Sequence, residues 1–421
     1  MTAHIFGFLL AIYYLVGRWS FGRLEGAFGS EPLVEQPRFW VIVAMVPVVL
    51  LMRPRTAQLG VRVRPTSVDL AVGWFLAYMI LTALWAPSAE LAGVKAGELA
   101  LVLGVAVLIA ASRPSLAHGD VQHGFWCMIV VVGIAMASLA FLYRTGGRIH
   151  VPSGGPNTFG RNMGLMGIGA AYLAARYGQA ARPACVAAIV VAMLMVLLCG
   201  SRGGLLATSV AVATFTVTAR TSLSSKILIV AVLAGATAGA ISFTDVGHNA
   251  AEVFRNRIVE QTLENRYLAA RDVLWTDAWA MICEKPFFGW GLNGFRANSW
   301  TYPHNIFLES LVEGGVVGLA LLLMIPWVWW RGFRRSGARI SRVQLAALAL
   351  LLTAAQTSGD LFDSRGVFLL IALATPTTVV ARHAASSRKR NLAPFAVPRL
   401  DKNPEAIRRQ LQTASARGVA R

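Results

Sequence analysis

The residues with the clearest chemical potential form a short run that begins at Pro303. Proline suits the first turn of a helix, and His304 follows it at an N-terminus whose dipole disfavours the imidazolium ion. We therefore expect a neutral histidine that accepts a proton, although an ordinary capping role at a membrane interface is the alternative. Asn305, Glu309 and Glu313 follow at four-residue spacing and share one helical face. Carboxylates in the first turns of a membrane helix are costly toward lipid, so this face is predicted to meet protein, water or ligand.

Two arginines lie at predicted membrane boundaries. Arg202 sits in the turn Cys199-Gly200-Ser201-Arg202-Gly203-Gly204, where the glycines permit close backbone approach. Arg161 and Asn162 open a weakly hydrophobic span after a loop rich in glycine and proline. A guanidinium binds phosphate through two parallel hydrogen bonds, so both arginines are candidate anion ligands. Either side chain could instead anchor its helix among lipid headgroups.

A polar segment of mixed charge, residues 244–303, separates two groups of apolar runs. The spacing of Leu268, Trp275 and Trp279 predicts an amphipathic helix that lies along the membrane surface. The proline and glycines of residues 286–291 should end this helix and return the chain toward the bundle. We interpret the segment as a folded loop that covers one face of a membrane protein.

The last short turn carries two aspartates, Asp360 and Asp363, beside Arg365. Either carboxylate could orient His304 or stabilise its protonated form. Asp363 and Arg365 could equally pair with each other.

The elements that position these residues are membrane helices. The 421-residue chain is 56% hydrophobic, only 14% charged, and has a mean hydropathy of +0.58, which leaves too little polar surface for a soluble domain. A span needs roughly 20 apolar residues, and we predict an all-α integral membrane protein with about twelve transmembrane helices, within a range of eleven to thirteen. The predicted spans are 2–17, 39–52, 69–86, 96–112, 123–143, 158–177, 183–200, 203–219, 226–243, 305–330, 341–358 and 365–382.

The distribution of positive charge predicts the orientation. With both termini inside, most of the lysines and arginines behind the net charge of +19 fall in cytoplasmic loops and in a basic tail, 383–421. Residues 1–243 then hold nine helices, 244–303 form one large periplasmic loop, and 304–382 hold the last three helices. The first apolar run lacks a basic n-region and a cleavage site, so we expect it to be retained as a span. We attribute the positive charge to topology and anionic lipid headgroups rather than to nucleic acid.

The four cysteines form neither a disulfide framework nor a CxxC metal site. An Asp-x-Asp metal motif and a glycine-rich nucleotide loop are also absent from the sequence. We therefore predict no metal and no cofactor, which argues against a cytoplasmic sugar-nucleotide transferase.

Several of these motifs together resemble the bacterial O-antigen ligase and O-antigen polymerase-like membrane glycosyltransferases. The resemblance covers residues 150–320 best and the rest by topology only. It rests on three elements: the Ser201-Arg202-Gly203-Gly204 turn, a loop in which Arg266 precedes Trp275 and Pro286-Phe-Phe-Gly-Trp-Gly-Leu292, and the run from His304-Asn305-Ile-Phe-Leu-Glu309 to Glu313-Gly314.

The resemblance implies a glycan donor carried on undecaprenyl pyrophosphate and transfer at the periplasmic side of the bacterial inner membrane. It implies that Arg202 and Arg266 bind the pyrophosphate and that His304 serves as general base with support from Asp360 or Asp363. The remaining candidates for phosphate or glycan contacts are Arg161, Arg271, Asn305 and Glu309. The acceptor is the lipid A core for a ligase, or a second lipid-linked glycan for a polymerase.

The motifs do not separate ligase from polymerase. A protein-glycosylating transferase is disfavoured, because the outer loop is too modest to hold a domain for a protein acceptor. A polysaccharide transporter or flippase is the alternative from another class, and it predicts repeat symmetry with polar residues near the membrane midplane. We find no internal repeat, and the informative residues collect at one boundary.

Overall fold

The computed structural model describes residues 1–17, 33–58, 65–116, 119–142, 149–151, 155–219, 245–264, 271–299, 301–336 and 340–375, with isolated positions between 222 and 242. The chain divides into Met1–Val380 and Ala381–Arg421, and all described residues lie in the first unit. Arg266, the predicted tail 383–421 and most of the predicted ninth span 226–243 lie outside the described residues.

The described residues form helices joined by turns, and none of them is in a strand. The first eight helices are α1 (Thr2–Val16), α2 (Pro37–Gln58), α3 (Ser67–Leu81), α4 (Ala89–Leu116), α5 (Asp120–Leu142), α6 (Gly155–Tyr177), α7 (Arg182–Leu198) and α8 (Arg202–Val217). The others are α9 (Asp245–Phe254), which continues as a π-helix over Arg255–Glu264, then α10 (Arg271–Glu284), α11 (Gly294–Asn298), α12 (Ile306–Ser336), α13 (Arg342–Ala355) and α14 (Arg365–Ala374).

Among the described residues, four helical stretches are long and apolar enough to cross a bilayer: Ser67–Trp85, Ala89–Arg113, Asp120–Leu142 and Ile306–Arg335. Shorter apolar helices accompany them, and every predicted span whose residues are described overlaps a helix. The all-helical membrane character is therefore confirmed, whereas twelve crossings and the orientation of the termini stay predictions.

Helix α12 is broken at Gly315, whose φ of 64° lies in the left-handed region. The chain segment 286–291 replaces the missing helical hydrogen bonds. The amides of Trp290 and Gly291 donate to the carbonyls of Val312 (2.8 Å) and Glu313 (3.0 Å). In return, the amide of Val316 donates to the carbonyl of Pro286 (2.8 Å). The 286–291 motif of the polar segment and the glutamate-glycine motif of α12 therefore fold together as one unit.

The predicted helix near Trp275 exists as α10, whereas Leu268 of the predicted stripe lies outside the described residues. Leu274, Ala278, Met281 and Ile282 are buried, whereas Trp275 and Trp279 are 38% and 55% exposed. The buried set follows the 3.6-residue period closely and packs in one cluster with Phe295 and Val312. Contact with α12 covers this face of α10, and the predicted placement of the tryptophan side along the membrane surface stays a prediction.

Candidate active site

His304 lies in a strained connection just before α12. Its φ is 55°, an uncommon value for a residue with a Cβ. The Pro303 carbonyl accepts a hydrogen bond from the indole Nε1 of Trp275 (3.0 Å). The Asn305 side-chain oxygen accepts from the amides of Phe307 (3.0 Å) and Leu308 (3.1 Å) and so caps the helix.

This geometry corrects the expected helix start. Pro303 and His304 precede α12, which begins at Ile306, because Asn305 is the better N-cap. The Asn305 oxygen is thus occupied by backbone amides, and its proposed contact with substrate stays a prediction.

The His304 imidazole is partly buried, and its ring packs edge-to-face on Tyr302 with 4.7 Å between centroids. Its Nδ1 is buried and has no hydrogen-bond partner in the protein. Burial lowers the pKa of His304, the positive charge of Arg271 lowers it further, and Asp363 and Asp360 oppose the shift. The imidazole is therefore neutral near pH 7 and able to accept a proton.

Arg271 lies near this histidine and near Arg202. Arg271 opens α10 and donates a hydrogen bond to the Thr357 carbonyl. Its pKa is lowered by burial and by the nearby charge of Arg202, the first residue of α8. The turn before Arg202 is held by the Ser201 hydroxyl, which donates to the side-chain oxygen of Asn157 (2.8 Å) and accepts from the amide of Gly204 (3.0 Å). Two neighbouring cations repel each other, so this pair favours a bound anion.

The two aspartates act on His304 from the turn between α13 and α14. The buried Asp360 carboxylate accepts from the amide of Asp363 (3.0 Å). Asp363 lies 3.9 Å from a guanidinium nitrogen of Arg365 and lines a cavity together with His304. Both functions considered for Asp363, pairing with Arg365 and support of His304, are therefore compatible with one position.

The cavity has a volume of about 170 Å³. Its polar lining includes His304, Asp363, Tyr302, Asn157 and Asn162, whereas Arg202 and Arg271 do not line it. The first turns of α6 and the ends of α1 and α5 supply much of the wall. His304 thus has polar open space on one side and lies within the electrostatic influence of Arg271.

Arg161 is buried deeper than the sequence indicated, at 4% exposure. Its charge acts on Tyr14 together with that of Arg365, and its Nε has no hydrogen-bond partner. Arg161 does not line the cavity, but its neighbour Asn162 does. A direct phosphate contact by Arg161 stays a prediction.

The sequence interpretation missed Lys95 of α4, which forms a buried cluster with Glu309 and Glu313 of α12. The Lys95 ammonium donates to Glu309 and lies 2.9 Å from both carboxylate oxygens of Glu313. None of the three residues is more than 1% exposed. Glu309, a predicted substrate ligand, is therefore used here to join two helices, and a contact with substrate stays a prediction. The missed signal was a lone lysine at the start of an apolar run, since a buried cation requires an anionic partner.

A group of three or more His, Cys, Asp or Glu side chains able to hold a metal ion was not found among the described residues.

Residues 187–323 match a family model described as O-antigen ligase. Over these residues the chain is similar to the O-antigen ligase family. The match contains Arg202, Arg271 and His304, and it confirms the resemblance inferred from the motifs. Among curated proteins, none matches the chain significantly.

The match to the O-antigen ligase model supports a glycosyltransferase-like enzyme of the ligase or polymerase kind, with lipid-linked glycans as the class of substrate. The aspartates of the last turn and Asn162 lie outside the matched region. Their association with His304 comes from the fold alone.

Proposed function

We propose that this protein transfers a glycan from undecaprenyl pyrophosphate to an acceptor hydroxyl of the lipid A core, at the periplasmic face of the bacterial inner membrane. The observation that carries the proposal is the buried, unpartnered Nδ1 of His304 near Arg271, which itself neighbours Arg202, within the region that matches the O-antigen ligase model. Polymerisation of lipid-linked repeat units is the alternative within the same chemistry.

The leaving group determines what the arginines do. As the bond between the sugar C1 and the phosphate oxygen breaks, negative charge grows on the pyrophosphate, and fixed cations stabilise it. Arg202 and Arg271 are placed for this role, and Arg266 is the additional ligand that the family resemblance implies. No nucleotide or metal ion is needed, because undecaprenyl pyrophosphate is itself a good leaving group.

The attacking hydroxyl determines what the histidine does. The acceptor oxygen forms its bond to C1 while its proton passes to a ring nitrogen of His304. The resulting imidazolium is stabilised by Asp363 and Asp360, whose charges favour the protonated ring. The proton then returns to solvent, and undecaprenyl pyrophosphate leaves.

The periplasmic location follows from the predicted orientation. Positive residues concentrated in the short loops on the other side would remain in the cytoplasm. The proposed site would then face the compartment in which flipped lipid-linked glycans accumulate.

The test is replacement of His304 by Ala in the natural host, with His248→Ala as the control because His248 is an exposed histidine of α9. Loss of a general base typically slows transfer by roughly 10²–10⁴-fold. At equal membrane levels, a ligase would leave the lipid A core unmodified and long glycan on undecaprenyl pyrophosphate. A polymerase would leave single repeat units, and unchanged glycans in both pools would contradict the proposal and favour a transporter.

A further inference from the structure

Two side chains in the cavity have polar atoms without protein partners. Asn162 is 2% exposed, and its amide Nδ2 makes no hydrogen bond. The His304 Nδ1 is also buried and unpartnered, and both residues line the same cavity. Burying a donor or an acceptor without a partner is costly, so such pairs mark positions that a ligand completes.

The packing of α6 against α8 fixes Asn162 in this position. A Cβ atom on Gly160 would lie 3.7 Å from the Cα of Gly204 in α8, which shows how closely the two helices approach. Asn162 follows two residues later, with Phe159 and Met163 buried around it. Its amide is therefore held in place before any ligand arrives, as specific recognition requires.

The chemistry of the lining selects the kind of ligand. Asn157, Asn162, Ser358 and Tyr302 offer neutral hydrogen-bonding groups, and the Asp363 carboxylate disfavours an anion. Hydroxyl groups of a sugar donate and accept, so they satisfy both amides and carboxylate. The volume of about 170 Å³ corresponds to roughly five or six waters, which suits one sugar ring better than a longer glycan.

We propose that this cavity is the acceptor subsite and that it takes the terminal sugar ring of the acceptor glycan. Asn162 donates to one ring hydroxyl and so positions the reacting hydroxyl against His304. This inference rests on the proposed function and deepens it. The terminal ring belongs either to the lipid A core or to a lipid-linked repeat unit, and both present the same hydroxyl chemistry.

The experiment uses the full chain in nanodiscs with a glycan on undecaprenyl pyrophosphate as donor. Asn162→Ser shortens the side chain, Asn162→Leu fills its space with an apolar group, and Asn298→Leu is the control on the exposed surface of α11. Loss of one hydrogen bond should raise the acceptor KM roughly three- to tenfold, with a larger rise for the leucine variant. The affinity for undecaprenyl pyrophosphate alone should stay within about twofold, whereas Arg202→Gln should weaken it.

The two acceptors are assayed separately, with lipid A core in one arm and the lipid-linked repeat unit in the other. The arm in which Asn162→Leu raises KM identifies the natural acceptor. An unchanged acceptor KM in both arms, or an equal loss of undecaprenyl pyrophosphate binding, overturns the inference even when His304→Ala abolishes transfer.

Failure of the proposed function itself would appear in the wild-type protein. If the wild-type chain transfers glycan to neither acceptor, the cavity is tested alone by saturation-transfer NMR with methyl hexosides. Binding that is lost in Asn162→Leu and kept in Asn298→Leu supports a sugar site, and the absence of such binding overturns it.

Discussion

Two polar regions at the start of α12 differ in how their charged and polar groups are satisfied. In the buried cluster, the single cation of Lys95 binds Glu309 and Glu313, and the other Glu309 oxygen, Oε2, is enclosed without a partner. Beside the cavity, His304 and Asn162 each retain an atom without a protein partner, and both residues border open space. The comparison teaches that the charges of the buried cluster hold two helices together, whereas the unpaired atoms beside the cavity adjoin space that a ligand can fill.

The two regions are mechanically connected. Glu313 lies two residues before the helix break at Gly315, and its carbonyl accepts from the amide of Gly291. The same half of α12 begins one residue after the Asn305 cap. The buried cluster therefore fixes the N-terminal half of α12, and His304 lies just before that half.

The largest expected effect comes from Lys95→Met. This change leaves two buried carboxylates without their cation, and breaking such a buried pair costs about 3–5 kcal/mol. We expect the thermal unfolding midpoint in detergent to fall sharply and membrane levels to drop.

Lys285→Met is the matched control, because Lys285 is exposed and lies 3.9 Å from the Trp290 ring. Loss of such an exposed cation–π contact costs about 0.5–1 kcal/mol. Adding Glu309→Gln and Glu313→Gln to Lys95→Met should restore part of the stability. A stable but inactive Lys95→Met protein would contradict the structural role of the cluster.

An intermediate effect is expected from Gly315→Ala at the break between the two halves of α12. A Cβ atom there would lie 2.1 Å from the Phe287 carbonyl oxygen, and φ is 64°. Backbone strain of this kind costs about 1–3 kcal/mol, to which the clash adds. We expect reduced stability together with reduced transfer activity, measured by thermal unfolding and by the transfer assay.

Gly332→Ala provides the comparison within the same helix, since a Cβ there meets no atom within 4 Å. It should leave activity intact and stabilise α12 slightly, by about 0.5–1 kcal/mol. Equal behaviour of the two alanine variants would show that the break does not position His304.

The smallest effect is a shift of the pH dependence without loss of folding. His304 acts as a base above its pKa, so the rate falls as pH drops through that pKa. Asp363 raises the pKa of His304, and Asp363→Asn should therefore move the acidic limb of the kcat profile to lower pH. Arg271 lowers the pKa of His304, and Arg271→Gln should move the limb to higher pH. A limb that stays in place in both variants would mean that another group controls it.

Much of the fold could be predicted from the sequence, because helix formation in a membrane depends on local runs of apolar residues. The predicted spans overlap the described helices closely, and short motifs named Arg202 and His304 as candidates, with Arg271 as a weaker one. Residue type left other uses open, since Arg202 could anchor its helix among headgroups and His304 could cap one, and the family resemblance favoured the chemical use.

The tertiary structure decided which of these residues have partners. Lys95 and Glu309 are 214 residues apart in the chain, so no local pattern joins them. No local pattern identifies Asn162 either, because the cavity that it lines is built from several helices. The exposure of Trp275 on α10 likewise depends on tertiary packing. Periodicity and motifs act over a few residues, whereas hydrogen-bond satisfaction depends on contacts between distant segments.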